Sequence, residues 1–285
     1  MEINLPKAIR STEIGYQALI RIFNICETKK NTNVFFNFEN LVFFEANLCS
    51  LLGCILEKLQ ENNCKYYFLG MRDTVETILN KNNFLTHYFD NEKTEDNFNT
   101  TIKYQSFHKT NTDDAYELYI SEELINKKDL PQMSEEVTLK ILENIFEIFV
   151  NAKTHGKCEY IHACGQLFPN RENKPLNFTI VDLGINIKEN VNSSLNQNYT
   201  SSEAIQWAMV EGNTTKITEP GGLGLSIILQ FIKLNKGKFE VISSDGYYNF
   251  SNETVKTRIL ECEFPGTIIN FTFNLDDENS YTLKN

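Results

Sequence analysis

The stretch Glu147-Ile-Phe-Val-Asn151-Ala-Lys-Thr-His155-Gly156 decides how the second half of this chain folds, because polar residues recur in it at helical spacing. Every fourth residue of an α-helix returns to about the same face, so Glu143, Glu147, Asn151 and His155 form one polar stripe. The positions between them are mostly apolar, which predicts a helix packed into a core on its other side. Part of the stripe then faces a cavity or a ligand, the alternative being the solvated face of a surface helix.

Size and composition limit the number of domains and the classes of function that this chain can have. The 285 residues suit one large or two medium domains, and 41% apolar residues with 21 Phe and 12 Tyr can fill their cores. A net charge of -11 and a pI near 5.0 argue against a nucleic-acid-binding surface, although a local basic pocket can hold a phosphate.

The cysteines and the N-terminal sequence indicate in which cellular compartment the protein is located. Seven cysteines without a Cys-x-x-Cys pair are typical of reduced thiols in a cytoplasmic protein and argue against structural zinc. The sequence has no signal-peptide pattern and no apolar run near the roughly 20 residues that cross a bilayer. We therefore expect a soluble cytoplasmic protein without membrane contact.

The first half alternates strands and helices, which predicts a small parallel or mixed sheet with helices packed on it. After a leading helix over about 6–28, strands are predicted at 33–38, 41–44 and 66–70, and helices at about 46–60 and 74–80. A polar stretch from about 90 to 114, with one strand at 102–107, indicates a linker. The predicted domains are residues 1–113 and 114–285.

This first part resembles the STAS domains of bacterial anti-sigma-factor antagonists. The resemblance rests on a strand, a short loop, a helix opening near Glu45-Ala-Asn-Leu48, and a later strand and helix that end in Asn-Phe. In phosphorylated members an Asp-Ser-Ser-Gly stretch opens that helix and one Ser accepts phosphate. No acceptor hydroxyl stands at 45–48 here, so the resemblance implies a docking or scaffolding module and not a phosphorylation switch.

The second half has a long helix as its main predicted element. A helix over 115–124 precedes it, Ser134 is its predicted N-cap, and Gly156 ends it. Two antiparallel strands (158–168 and 177–181) follow, then an Asn- and Ser-rich stretch (190–202), a short helix (203–210) and a polar loop (211–220). Such long loop regions indicate a lid or binding loop. The remaining predictions are a helix at 225–234 and strands at 238–244, 247–250, 256–264 and 267–274.

Three groups of residues in this half suit a nucleotide. Asp182 ends an apolar run and can accept a hydrogen bond from an exocyclic amine such as that of adenine, and Gly184 lets a ligand approach the backbone. Gly221-Gly-Leu-Gly224 precedes a helix, where backbone N–H groups and the helix dipole favour phosphate oxygens. The side-chain oxygen of Asn151 suits the Mg²⁺ that a triphosphate needs.

In this order the residues resemble the GHKL ATPase superfamily of gyrase B, heat-shock chaperone, histidine kinase and mismatch-repair ATPases, over about 134–274. Glu147-x-x-x-Asn151-Ala-x-x-His155 corresponds to its N-box and Asp182-x-Gly184 to its adenine box. Gly221-Gly-Leu-Gly-Leu225 corresponds to its phosphate-lid glycines and Gly266-Thr267 to its last nucleotide box. The resemblance implies a Bergerat-type two-layer α/β sandwich, a mixed sheet with helices on one face and ATP beneath a mobile lid.

The resemblance also implies roles for single residues. Asn151 would coordinate Mg²⁺, Asp182 would bind adenine directly and through water, and Thr267 would help that contact. Asn186 stands where the family usually has a second glycine. The other nucleotide contacts that the resemblance implies are His155, Gly184, Thr214, Thr215, Lys216, Gly221, Gly222, Leu223, Gly224 and Leu225. His155 alternatively caps its helix, and residues 214–216 alternatively form a solvated loop.

Glu147 indicates the chemistry. Histidine kinases usually carry Asn there, whereas hydrolysing members and anti-sigma serine kinases carry Glu as the base that activates water or a hydroxyl. We therefore expect an ATP- and Mg²⁺-binding ATPase whose nucleotide binding, with slow hydrolysis by Glu147, controls a protein partner or its own STAS-like domain. The alternatives are a serine/threonine kinase of the anti-sigma type and a non-enzymatic ATP-gated subunit of a bacterial regulatory or defence complex. The sequence is also compatible with a homodimer.

Overall fold

A computed structural model describes residues 1–110, 113–127, 130–154, 156–215, 224–277 and 279–282, and only the backbone of 224–227. Its helices are α1 (Glu13–Glu27), α2 (Cys49–Glu61), α3 (Asp73–Lys81), α4 (Phe84–Tyr88), α5 (Asp113–Tyr119), α6 (Glu135–Thr154), α7 (Ile187–Leu195), α8 (Ser201–Ala208) and α9 (Gly224–Leu234). Its strands are β1 (Glu2–Asn4), β2 (Ala8–Ile9), β3 (Asn33–Asn37), β4 (Phe43–Phe44), β5 (Lys65–Leu69), β6 (Thr101–His108), β7 (Tyr160–Leu167), β8 (Pro175–Asp182), β9 (Lys238–Ser251) and β10 (Thr254–Asn274). The expected mixed α/β class is confirmed.

The largest sheet has five strands in the order β6-β7-β8-β10-β9. Each of its neighbouring pairs is antiparallel, so the expected mixed sheet is wrong in this detail. Successive residues of a strand point to opposite faces, and Phe178, Phe239 and Phe271 share the face that α5, α6 and α9 cover. These helices and the strands enclose one of the two apolar cores.

The opposite face of this sheet is buried and carries polar side chains among apolar ones such as Val181 and Ile268. Gln166, Thr179, Glu240 and Asn270 alternate with the apolar residues and are each less than 9% exposed. The N-terminal half of the chain covers them, with α1 and α2 packed on this face. A buried polar group needs a hydrogen-bond partner, so this face specifies how the N-terminal half docks.

The N-terminal half has a three-stranded parallel sheet in the order β1-β3-β5, and a short parallel pair, β2 and β4. The predicted small parallel sheet with packed helices is therefore present. α1 begins after Thr12, whose side chain accepts the Gly15 N–H, because β2 occupies part of the predicted range of 6–28. Residues Ala46–Leu48 form a short 3₁₀ helix that leads into α2.

This 3₁₀ helix is buried against the five-stranded sheet and is hydrogen-bonded to it. The Asn47 amide donates to Ser11 Oγ and Thr179 Oγ1 at 2.8 Å each and to Asn270 Oδ1 at 3.3 Å. The Ala46 N–H donates to Gln166 Oε1 at 2.6 Å. The stretch at 45–48 therefore lies inside the molecule, where no separate protein reaches it.

The Asn- and Ser-rich stretch at 190–202, predicted as an irregular binding loop, is largely helical. Asn186 caps α7 by accepting the Glu189 N–H at 2.9 Å, and Thr200 and Glu203 form a reciprocal capping box at the start of α8. Side chains that favour loops also favour helix N-termini, and here capping prevails.

The predicted C-terminal meander is two long strands, because β9 and β10 continue through the expected breaks. The pairing shifts register between Ile259 and Thr267, and Ser244 has φ 54° beside that irregularity. β6, which precedes the predicted boundary at 113/114, pairs with β7 in the main sheet. In the part of the chain that is described, no helix has the length and apolar character to cross a membrane.

We expect Asn47→Ala to lower the free energy of unfolding by about 2–4 kcal/mol, because it removes three buried hydrogen bonds and leaves a cavity. Urea unfolding followed by circular dichroism measures this. The control is Glu61→Ala at the exposed end of α2, the helix that follows the 3₁₀ helix, which should change stability by less than about 0.5 kcal/mol. Equal effects of the two substitutions would contradict the sealed interface.

Candidate functional site

A pocket lies between α6, the end of the main sheet, α7, α8 and the loop that follows α8. Its empty space, with the open mouth included, is about 900 Å³. The residues that line it are Glu147, Ile148, Asn151, Ala152, Gly156, Asp182, Ile185, Ile187, Asn190, Val191, Trp207, Ala208, Asn213, Thr214, Thr215, Thr267 and Ile269.

Strand register assembles the floor of the pocket. β8 and β10 pair antiparallel with Thr267 directly opposite Asp182 and Ile269 opposite Ile180. Opposed residues of a pair point to the same face, so Asp182 and Thr267 share the face on which α6 packs. α6 then presents Glu147 and Asn151, one helical turn apart, to the same pocket.

Three glycines let the backbone close around Asp182. A Cβ at Gly184 would lie 2.3 Å from the Gly156 carbonyl oxygen, and one at Gly266 would lie 1.9 Å from the Asp182 carbonyl oxygen. The Ile185 N–H donates to the Gly156 oxygen at 2.6 Å. A side chain at either position would force the end of α6, β8 and β10 apart, so these glycines are required by packing.

Asp182 is a buried carboxyl that accepts one hydrogen bond from the described residues. It is 6% exposed, and its Oδ1 accepts the Gly184 N–H at 2.8 Å. Burial raises its pKa to about 7, and the Gly184 hydrogen bond opposes that rise only in part. Its Oδ2 has no donor among the described residues, so it can accept a hydrogen bond from a ligand.

Thr267 belongs to a small hydroxyl cluster with Ser243, a residue that the sequence did not identify. Ser243 Oγ donates to the Gly266 carbonyl at 3.0 Å, lies 3.1 Å from Thr267 Oγ1, and accepts the Ile187 N–H at 2.9 Å. Ser243 therefore connects β9 and β10 to the start of α7 and fixes the wall beside Thr267.

Glu147 and Asn151 are half-buried and line the pocket. Within the described residues, neither side chain has a hydrogen-bond partner. Glu143, one turn earlier in the stripe, instead forms an exposed ion pair with Lys140 at 2.9 Å and does not line the pocket. Of the polar stripe, Glu143 therefore lies on the protein surface, whereas Glu147 and Asn151 line the pocket.

Several predicted contacts lie outside the described residues, namely His155, Lys216, Gly221, Gly222, Leu223 and the side chain of Leu225. Gly224 begins α9, close to the predicted helix start. Thr214 and Thr215 line the pocket.

The apolar walls and two polar side chains of the pocket were not predicted. Ile185, Ile187 and Val191 come from the chain after β8, and α8 contributes Trp207, the single tryptophan of the sequence. Asn190 and Asn213 also line the pocket. An aromatic residue at the end of an amphipathic helix just before a polar loop was the available signal for Trp207.

Over the described residues, no group of three or more His, Cys, Asp or Glu side chains could hold a metal ion. A metal in the pocket would therefore need few protein ligands. No family model matches the chain, and no curated protein matches it.

Asp182 should make stability depend on pH. Between its ordinary pKa of 3.8 and the folded value of about 7, the unfolded chain releases a proton that the folded chain keeps. The free energy of unfolding of the wild type should therefore fall as pH rises through this window, by about 2–3 kcal/mol between pH 5 and 7.5.

Asp182→Asn should lose this dependence, because its amide oxygen still accepts the Gly184 N–H without ionising. Urea unfolding at several pH values measures the difference, and the exposed Glu211→Gln is the control. If the stabilities of Asp182→Asn and the wild type change in parallel with pH, the carboxyl is not the cause.

Proposed function

We propose that this pocket binds ATP with Mg²⁺ and that the chain is an ATPase of the GHKL type with a STAS-like N-terminal module. Nucleotide binding, with slow hydrolysis, regulates a protein partner or the N-terminal module itself. The observation that carries the proposal is that Glu147, Asn151, Asp182 and Thr267, from three separate elements, line one pocket.

One end of the pocket suits a purine base. Ile185, Val191 and Ile269 supply apolar walls for a flat ring, and Asp182 and Thr267 lie at the floor. An ionised carboxylate in this buried place accepts hydrogen bonds from an amine, which would offset the desolvation that raises its pKa. This combination supports an amino-substituted base such as adenine.

The other end suits phosphates only if cations accompany them. The chain carries a net charge of -11, and Glu147 itself lines the pocket. Asn151 offers a neutral oxygen without a protein partner among the described residues, which fits Mg²⁺, an ion that keeps most of its waters. When bound, Mg²⁺ neutralises phosphate charge. α9 begins at Gly224, the last glycine of the Gly221-Gly-Leu-Gly224 motif, and the N-terminus of a helix favours phosphate oxygens.

Glu147 is the proposed general base. A carboxylate that is not engaged by a protein donor can take a proton from a water as that water attacks the terminal phosphate. Because Glu147 is only half-buried, the same carboxylate can serve a Ser or Thr hydroxyl of a partner protein, which keeps the kinase of the anti-sigma type as a second candidate. An ATP-gated module without turnover is the third.

The proposed location is the cytoplasm. The seven cysteines are free, and six of them are buried, which suits a reducing compartment. Burial raises the pKa of the Cys54 thiol and raises that of Cys158 to about 12, so both thiols stay protonated and unreactive.

Glu147→Ala should reduce ATP turnover by about 100-fold or more while leaving the affinity for ATP within a few-fold. Phosphate release and calorimetric ATP binding measure the two quantities. Glu143→Ala, one turn earlier on the exposed face, should retain both. Turnover that survives Glu147→Ala would show that Glu147 is not the base.

Asn151→Ala should weaken ATP binding in Mg²⁺ by about tenfold and leave adenosine binding unchanged, because adenosine has no phosphates for the metal to bridge. With EDTA present, the wild type and the variant should bind ATP equally weakly. Titration calorimetry of both ligands measures these affinities. A loss of adenosine binding would assign Asn151 to the base end instead.

A further inference from the structure

Trp207 lies in the pocket wall without an assigned role. It is half-buried near the end of α8 and lines the pocket together with Asn213, Thr214 and Thr215 of the following loop. Its indole N–H has no acceptor among the described residues. A large flat ring with an available donor is suited to a ligand that also has a ring and oxygen acceptors.

The start of α8 is fixed to the β9–β10 hairpin. Ser201 Oγ donates to the Asp245 carboxylate, and Ser202 Oγ donates to the Arg258 carbonyl at 3.1 Å. The approach to β9 is close, since a Cβ at Gly246 would lie 2.8 Å from atoms of Ser201 and Ile205. α8 is therefore a rigid support for the side chains at its other end.

The end of α8 is tied to the loop through the main chain of Trp207. The carbonyl oxygen of Trp207 accepts the Asn213 side-chain amide at 2.8 Å and the Val210 N–H at 3.2 Å. The Asn213 N–H in turn donates to the Val210 carbonyl at 3.1 Å, and Gly212 has φ 84°, a conformation that favours glycine. This compact turn places Thr214 and Thr215 directly after an anchored residue.

We infer that Trp207 and Asn213 are positioning residues of the nucleotide site, an inference that rests on the proposed ATP binding. The Trp207 ring packs against the nucleoside part of the ligand, and the Asn213 hydrogen bond holds the Thr214–Thr215 segment at the phosphate part. The C-terminal end of α8 therefore positions both the part of the site that contacts the nucleoside and the part that contacts the phosphates.

The two residues differ in which ligand they affect. Adenosine lacks phosphates, so it depends on the Trp207 ring and not on the segment that Asn213 holds. ATP depends on both. Trp207→Ala should therefore weaken adenosine and ATP alike, by about tenfold as for loss of one ring–base contact. Asn213→Ala should weaken ATP by about fivefold, as for loss of one hydrogen bond, and leave adenosine within twofold.

The test is calorimetric titration of adenosine and of Mg²⁺–ATP into the wild type, Trp207→Ala, Trp207→Phe, Asn213→Ala and Gln206→Ala. Trp207→Phe keeps a ring and should bind both ligands within about threefold of the wild type. Gln206 is exposed on the same helix outside the pocket, so Gln206→Ala controls for the stability of α8. Because Trp207 is the single tryptophan, its emission in the wild type should also change when adenosine is added.

The outcomes separate this inference from the proposed function. If the wild type binds neither ligand, the ATP site itself is wrong. If it binds both but Trp207→Ala binds them equally well, or tryptophan emission does not respond to adenosine, Trp207 has no positioning role. If Asn213→Ala weakens adenosine and ATP to the same extent, Asn213 merely supports the fold, and the assignment of the loop to the phosphates is overturned.

Discussion

The pairing of β8 with β10 is the constraint on which the pocket depends. It places Thr267 opposite Asp182 on the face that α6 covers, and a shift of β10 by one residue would turn the Thr267 side chain to the opposite face, away from Asp182. The close approach of Gly184 to Gly156 and of Gly266 to Asp182 brings the end of α6 against the same strand ends. A register fixed by hydrogen bonds thus positions a buried acid, a hydroxyl and a helix face together.

The main sheet has two different buried faces, and each has a structural role. The face under α5, α6 and α9 is apolar and stabilises the fold by burial, which is not directional. The face under the N-terminal half combines apolar residues such as Val181 and Ile268 with buried polar ones. There Glu240, 1% exposed, is bound by Lys238 at 2.7 Å, Tyr247 at 2.6 Å and Tyr16 at 3.1 Å. Because hydrogen bonds are directional, this face specifies one orientation of the N-terminal half, which is therefore an integral part of the molecule.

This arrangement bears on how a nucleotide could regulate the protein. The 3₁₀ helix before α2 is sealed by Asn47, so signalling by separation of the two halves would break several buried hydrogen bonds at once. A loop fixed at Asn213 and a helix fixed at Ser201 form a smaller unit next to the pocket. The proposed regulation by a nucleotide would therefore act through the surfaces around α8 and not through release of the N-terminal half.

The sequence by itself determined the mixed α/β class, most helices and strands to within a few residues, and the candidate residues Glu147, Asn151, Asp182 and Thr267. Helical and strand periodicity and the glycine next to Asp182 are local signals, whereas Thr267 was identified only by the resemblance of Gly266-Thr267 to a family motif. It missed α7, since the same Asn and Ser residues favour loops and helix caps, and it split β9 and β10 at irregularities that the strands tolerate. The tertiary structure alone decided that β6 joins the main sheet, that Asn47 is buried, and that Trp207, Ser243 and Asn213 border the site. Those outcomes depend on contacts between residues far apart in the chain, which no local pattern encodes.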